Sequence, residues 1–195
     1  MMNGCPRWSF LTVPLLAALG CSDPVPRPPQ GNMTLSIGDP TGAKCPASAK
    51  TYQVGNPNPP TVTSTPPSAG DRLIDGDHSA SISCSVHGSG PYTFSGTIKA
   101  LSKESDKVAL TITNGSIGAD KVSGTATIAV NTPQLSGNSF VSAPGACTVK
   151  VISQNVKPGS IWASVTCPTV TLSSTGQSCA VGDSTNFVLE NCDGS

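Results

Sequence analysis

The chain of 195 residues is long enough for one domain of ordinary size, and its 11 basic and 11 acidic side chains cancel. Charged residues make up only 11% of the sequence and are scattered singly, which excludes the basic stripe that nucleic-acid binding needs. Ser, Thr, Val and Gly are abundant, and no stretch is rich in Leu, Ala, Glu and Lys. This composition predicts an all-β protein with no nucleic-acid partner.

Residues 1–20 have the three parts of a secretory signal. A short N-terminal part carries one positive charge, Arg7, and an apolar run of about twelve residues follows at 8–19. That run is shorter than the roughly 20 residues that cross a bilayer core. The residues after it are Ser22-Asp23-Pro24 rather than a basic cluster. We therefore predict a cleaved signal peptide over residues 1–20.

The signal ends in Ala18-Leu19-Gly20-Cys21, which resembles the lipobox of bacterial lipoprotein precursors. The resemblance implies cleavage before Cys21 and acylation of that cysteine, although Ala18 stands where Leu is more usual. Two or more acyl chains hold a protein stably to a bilayer. The expected location is the bacterial cell envelope, with the lipid in the outer membrane, because Ser22 rather than Asp follows the cysteine.

The number of cysteines supports the same interpretation. The chain has eight, and Cys5 leaves with the signal peptide. Ordinary cleavage before Cys21 would leave seven, an odd number in an oxidising compartment. Acylation of Cys21 would leave six, enough for three disulfides. The alternative is a plain secreted protein with one unpaired cysteine.

The first part of the predicted mature chain is rich in proline. Residues 21–31 form a predicted tether, since four prolines favour an extended conformation there. Alternation predicts the first strand at 33–37. From 38 to 70 the pattern is irregular, with strand character only at 51–54. We expect a long excursion there that Cys45 pins to the domain.

Residues 32–195 form the predicted β domain. The clearest signal lies at 79–86, where one face carries Ala, Ile, Cys and Val and the other carries only serine. Five more strands are expected at 92–101, 108–113, 122–130, 147–151 and 161–167. Turns are expected at 88–91 and at Asn114-Gly115, and two short strands at 170–172 and 187–189. The pattern predicts an antiparallel β-sandwich or barrel-like domain with disulfides.

Six cysteines allow fifteen connectivities. Strand face and spacing favour the three pairs Cys84–Cys167, Cys179–Cys192 and Cys45–Cys147. The first pair lies on the apolar faces of its two strands, the second is close in sequence, and the third is left by elimination.

One loop collects acidic residues, since Asp71, Asp75, Asp77 and His78 lie within eight positions. Three carboxylates and an imidazole are candidate metal ligands, but their spacing does not match an EF-hand loop. Asp75-Gly76 is also a common turn former directly before a strand. We favour the turn, keep the four residues as the alternative, and expect no cofactor.

The sequence carries no recognisable catalytic motif. Its two histidines, His78 and His87, lie at the ends of one serine-faced strand, and no Gly-x-Ser-x-Gly elbow is present. A glycosidase pair of carboxylates stays open, but Glu104 and Glu190 have no suggestive context. Trp162 falls opposite the apolar face of its strand, so we expect it to face solvent or to pack under a loop. We predict that the protein is not an enzyme.

The leader, the tether and the segments Ser-Ile-Ser-Cys-Ser-Val, Tyr-Thr-Phe-Ser-Gly-Thr-Ile and Phe-Val-Leu-Glu-Asn-Cys resemble a group of small uncharacterised bacterial outer-membrane-type lipoproteins. A fainter similarity to the lipoprotein antigen family is limited to Cys84 and Cys167 with their flanking alternation. Neither resemblance implies an activity.

Two functional hypotheses stay open. The first is a structural or interaction protein, held to the membrane by its N-terminal lipid and engaging an envelope protein partner. The second is a binding module or carrier for a small apolar or glycolipid ligand. We favour the first, because mid-sized β-branched side chains and alanine do not indicate a large cavity.

Overall fold

The computed structural model describes residues 25–39, 45–55, 72–136 and 138–194. The predicted signal peptide, Cys21 and Asp71 lie outside these ranges. The described residues contain two short 3-10 helices, Asp77–Ser79 and Pro133–Leu135, and twelve strands. The strands are β1 (Gln30–Gly38), β2 (Lys50–Val54), β3 (Leu73–Ile74), β4 (Ser81–His87), β5 (Tyr92–Leu101), β6 (Lys107–Ile117), β7 (Ser123–Asn131), β8 (Phe140–Val141), β9 (Cys147–Lys157), β10 (Ser160–Leu172), β11 (Gln177–Val181) and β12 (Asn186–Glu190).

The strands form one antiparallel sheet in the order β11-β1-β12-β10-β8-β7-β6-β5-β4. β2 and β3 both lie along β1, and β9 pairs with β10 and β7. The sheet folds over on itself, since the ring centroids of Phe94 on β5 and Phe187 on β12 are 6.2 Å apart. The all-β antiparallel prediction is therefore confirmed, with the core between two layers.

We call β4–β7 the serine–threonine layer, because its inward side chains are apolar and its outward ones are mostly hydroxyls. Burial alternates residue by residue along these strands, as expected where one face meets a core and the other meets water. Buried side chains of this layer include Ile82, Val86, Phe94, Ile98, Leu110, Ile112, Ile128 and Val130.

We call β1, β12 and β10 the two-sided layer, because consecutive residues are buried on both faces. Residues 31–35 of β1, 187–189 of β12 and 160–163 of β10 are all buried. Side chains of successive strand residues point to opposite faces. Both faces of this layer are therefore covered.

The C-terminal residues 192–194, which we call the strap, close the sheet at its β4 edge. Val86 N donates a hydrogen bond to Asp193 O at 2.8 Å, and Asp193 N donates to Cys84 O at 3.0 Å. Gly159, in the turn between β9 and β10, donates its backbone N–H to Val86 O at 3.0 Å. These bonds give the free edge of β4 its partners, so the sheet is barrel-like.

Three disulfides use the six cysteines from Cys45 onward, which confirms that these residues are disulfide-bonded. The pairs are Cys45–Cys179, Cys84–Cys192 and Cys147–Cys167. All three predicted pairs, Cys84–Cys167, Cys45–Cys147 and Cys179–Cys192, are wrong. The reason is topological: β9 lies beside β10, which brings Cys147 next to Cys167, and the strap lies beside β4. Neither neighbour relation is visible in local alternation.

Two expected strand breaks are also wrong. Asn114-Gly115 is not a turn but a bulge inside β6, where the registers with β5 and β7 both shift. Asn114 has a φ of 51°, which the unpaired position of a bulge accommodates. The expected strand at 170–172 is the end of β10, which runs on through Pro168 with a register shift against β11. The first strand begins at Gln30, inside the predicted tether.

Candidate functional site

The end of β12 carries a cluster of polar side chains around one carboxylate. Glu190 Oε1 accepts hydrogen bonds from Trp162 Nε1 at 2.8 Å and from Arg72 Nη2 at 3.0 Å. Glu190 Oε2 accepts one from Gln30 Nε2 at 2.9 Å and also pairs with Arg72 Nε. We call these four residues the Glu190 cluster. Strand register builds it, because Gln30 and Ser160 lie directly opposite Glu190 on the two neighbouring strands.

The Glu190 cluster is largely removed from water. The side chain of Arg72 is 4% exposed and that of Glu190 is 19% exposed. The guanidinium carbon of Arg72 lies 5.1 Å from the centre of the Trp162 ring, a cation–π distance. Both carboxylate oxygens already accept hydrogen bonds from protein donors. This is the arrangement of a structural ion pair that joins β3 to β1, β12 and β10, and not that of a general base facing a substrate.

Sequence reasoning missed this cluster. Glu190 has no suggestive context in the sequence, and of the two positions expected for Trp162, in solvent or packed under a loop, the 3% exposure of its side chain agrees with the packed one. The predicted strand face is right, since Trp162 points away from the core side, but Arg72 covers it there. The contacts span 118 residues for Arg72–Glu190 and 28 for Trp162–Glu190. The one local signal was a large aromatic residue with an N–H donor on the polar side of a strand.

The acidic loop before β4 forms the predicted turn. Asp75 and Gly76 make the turn, and a 3-10 helix follows over Asp77–Ser79. Asp75 Oδ1 accepts a hydrogen bond from Ile82 N at 2.7 Å, so its carboxylate is used to start β4. Gly76 has a φ of 90°, a conformation that favours glycine.

The structure describes three of the four candidate metal ligands of this loop. Asp75, Asp77 and His78 are exposed, and Asp71 lies outside the described residues. Across the described ranges, no group of three or more His, Cys, Asp or Glu side chains is arranged to hold a metal ion. The other histidine, His87, lies at the opposite end of β4, so the two imidazoles do not share a site.

The outward face of the serine–threonine layer carries a shallow groove of about 300 Å³. Its lining includes Ser83, Ser85, Ser95, Thr97 and Asp193. Neighbouring hydroxyls bond across strands, as in the 2.9 Å contact between the Oγ atoms of Ser85 and Ser95. The hydroxyls of this face therefore bond to one another as well as to solvent.

A second and larger groove of about 810 Å³ lies where the described chain begins. Residues 26–29 form one side of it, and residues 158–159 and 191–194 form the other. Asn191 Nδ2 donates a hydrogen bond to Pro28 O at 3.3 Å. The N-terminal segment therefore enters the domain beside the strap.

No family model, no curated protein and no solved structure matches this chain. Among the described residues, no helix has the length and apolar character needed to span a membrane. The resemblances to bacterial lipoproteins therefore stay predictions.

Proposed function

We propose that this protein is a lipid-anchored component of the bacterial cell envelope, held in the outer membrane, that acts through structural support or interaction with another envelope protein. The observation that carries the proposal is the cysteine inventory. All six cysteines after Cys21 are consumed by three disulfides. In the predicted mature chain, Cys21 is then the one cysteine left for acylation.

The same disulfides support a location outside the cytoplasm. Disulfides form and persist in oxidising compartments and are rare in cytosolic proteins. The chain enters the domain next to the strap, at residues 26–29. An anchor at Cys21 would therefore hold the strap end of the domain toward the bilayer and leave the opposite end for a partner.

A filled interior favours interaction over the carrier hypothesis. Large side chains occupy the space between the layers, including the facing rings of Phe94 and Phe187. Met33, Tyr52 and Phe140 are also at most 1% exposed. Apolar ligands of carriers need an enclosed pocket lined by such residues, whereas here the side chains pack on one another. The two grooves described above are open to solvent and do not enclose a ligand.

The anchor is tested by expressing the full chain in a bacterium and analysing the membrane fraction by mass spectrometry. We expect a mature N-terminus at an acylated Cys21. Cys21→Ala should stall processing or release the protein, and the matched control Cys5→Ala should leave the mature product unchanged. Recovery of the wild type as a soluble species that begins at another residue would contradict the proposal.

The interaction role is tested separately from the anchor. In-cell cross-linking with the anchored protein is expected to capture an envelope protein that the Cys21→Ala form does not reach. Calorimetric titration with calcium and with zinc provides the counter-test. Tight metal binding that is abolished by Asp75→Ala together with Asp77→Ala would replace this role with a metal-dependent one.

A further inference from the structure

The three disulfides differ in how closely solvent approaches them. Cys147 and Cys167 are each at most 1% exposed, deep between β9 and β10. Cys84 is 8% exposed, on the buried face of β4. Cys192 is half-buried and lines the groove beside the N-terminal segment. In the third bond Cys45 is half-buried as well, but Cys179 is only 1% exposed. Of the three disulfides, Cys84–Cys192 is therefore the one in which neither cysteine is fully buried.

This disulfide is also the covalent part of the contact that closes the sheet. The strap is held by two backbone hydrogen bonds between Asp193 and β4, and by a third from Cys192 N to Gly159 O at 3.0 Å. A Cβ on Gly194 would overlap the backbone of Gly159, so the strap fits closely against the β9–β10 turn. The covalent link between the strap and β4 is Cys84–Cys192.

We propose that Cys84–Cys192 is a site of thiol–disulfide exchange with a dithiol reductant, and that its reduction releases the strap from β4. One thiolate of the dithiol attacks Cys192 Sγ, the more accessible sulfur. The S–S bond breaks, and Cys84 leaves as a thiolate that takes up a proton. The second thiol of the reductant then resolves the mixed disulfide and frees Cys192. Two electrons pass to the protein, and the dithiol becomes a disulfide.

The consequence follows from what the strap covers. Without Asp193, the backbone groups Cys84 O and Val86 N lose their partners. Val86 O keeps its hydrogen bond from Gly159 N, and Ile82 N keeps its bond to Asp75 Oδ1. Reduction would therefore uncover the middle of the β4 edge, at Cys84 and Val86, while the rest of this edge stays covered. This inference does not depend on the lipid anchor.

Limited reduction tests the first step on the wild-type full chain. The oxidised protein is treated with increasing dithiothreitol, trapped with iodoacetamide and mapped by mass spectrometry. We expect Cys84 and Cys192 to be alkylated at least tenfold faster than Cys147 and Cys167, and before Cys45 and Cys179. Simultaneous opening of all three bonds, or earlier opening of either other bond, would overturn the proposal.

Hydrogen exchange tests the second step on the selectively reduced sample. We expect the amides of Val86 and Asp193 to exchange at least tenfold faster than in the oxidised protein. The amides of Leu110 and Ile128, in the middle of the serine–threonine layer, serve as the internal control and should be unchanged. Unchanged protection of Val86 and Asp193 after reduction would show that the strap does not depend on the bond, and would refute release.

Discussion

The two layers of the sheet differ in how far their outer faces are buried. In the serine–threonine layer, outward residues such as Ser83 and Thr113 are exposed to water. In the two-sided layer, the corresponding outward row of Asn32, Val188 and Trp162 is at most 5% exposed. The strands of both layers have similar geometry, so the difference lies in what covers the outer face.

The comparison shows that a polar group on a doubly covered strand needs a specific partner. Serines and threonines of the first layer are satisfied by solvent or by one another, as in the 3.3 Å contact between Thr97 and Thr111. Glu190 in the second layer is satisfied by three side chains from distant parts of the chain. Substitutions should therefore cost little on one outer face and much on the other.

The largest expected effect is the difference in stability loss between alanine variants of the two glutamates of the chain. Glu190→Ala removes the carboxylate that the buried Arg72 faces, and should lower the free energy of unfolding by about 3–5 kcal/mol. Urea unfolding followed by fluorescence measures this, because Trp162 is the single tryptophan after the predicted signal peptide. Glu190→Gln, which keeps an acceptor oxygen, should fall between Glu190→Ala and the wild type.

Glu104→Ala is the matched control, since Glu104 pairs with Lys50 while its side chain is 63% exposed. Solvent screens such pairs, and the change should cost less than about 1 kcal/mol. Equal costs for the two alanine variants would show that the Glu190 cluster is no more than a surface ion pair.

A second test sharpens the contrast between the two faces of one strand. Ile112 on β6 is 2% exposed and points inward, so Ile112→Ala should cost about 3 kcal/mol through lost burial and a cavity. Its neighbour Thr113 is exposed, and Thr113→Ala should change stability by less than about 0.5 kcal/mol. A similar loss for both in urea unfolding would mean that the outer face is covered after all.

A third test addresses the bulge that replaces the expected turn. A Cβ on Gly115 would lie 2.5 Å from the Phe94 ring, which is held in the core against Phe187. Gly115→Ala should therefore cost about 1–3 kcal/mol. Asn114→Gly relaxes the positive φ at the neighbouring position and should stay within about 0.5 kcal/mol of the wild type. A neutral Gly115→Ala in thermal unfolding would indicate that the bulge is not packed as described.

The sequence predicted the serine–threonine layer well, because period-two alternation reports one wet and one dry face directly. The strands expected at 51–54 and 92–101 are confirmed as β2 and β5. The same rule left the surroundings of Trp162 open, because alternation cannot distinguish a face in water from one covered by Arg72. The disulfide pairs were predicted wrongly for a related reason, because which segments lie side by side is a long-range property. The strap lies beside β4, and β9 lies beside β10.

The smallest expected effect concerns the contact between β2 and the loop that joins β5 to β6. Lys50 on β2 contacts Asp106 and Glu104 in the loop between β5 and β6, each at 2.8 Å. The hydrogen bond to Asp106, followed by that to Glu104, raises the pKa of Lys50 above its ordinary value. All three side chains reach solvent, so salt screens the contact.

Lys50→Met should therefore lower the melting temperature slightly at low salt and by less in 1 M NaCl. The pH dependence follows from the raised pKa of Lys50. The stabilisation by this contact is fully present below the pKa of lysine in the unfolded chain, about 10.4, and declines as pH rises through the higher pKa of the folded protein. The gap between wild type and Lys50→Met should hold from pH 7 to pH 10 and narrow above it. Lys107→Met, which removes an exposed lysine from the start of β6, is the control. The Nζ of Lys50 also lies 4.8 Å from the centre of the Tyr52 ring. If the difference in melting temperature changes with neither salt nor alkaline pH in circular dichroism melts, Lys50 acts through packing on Tyr52 instead.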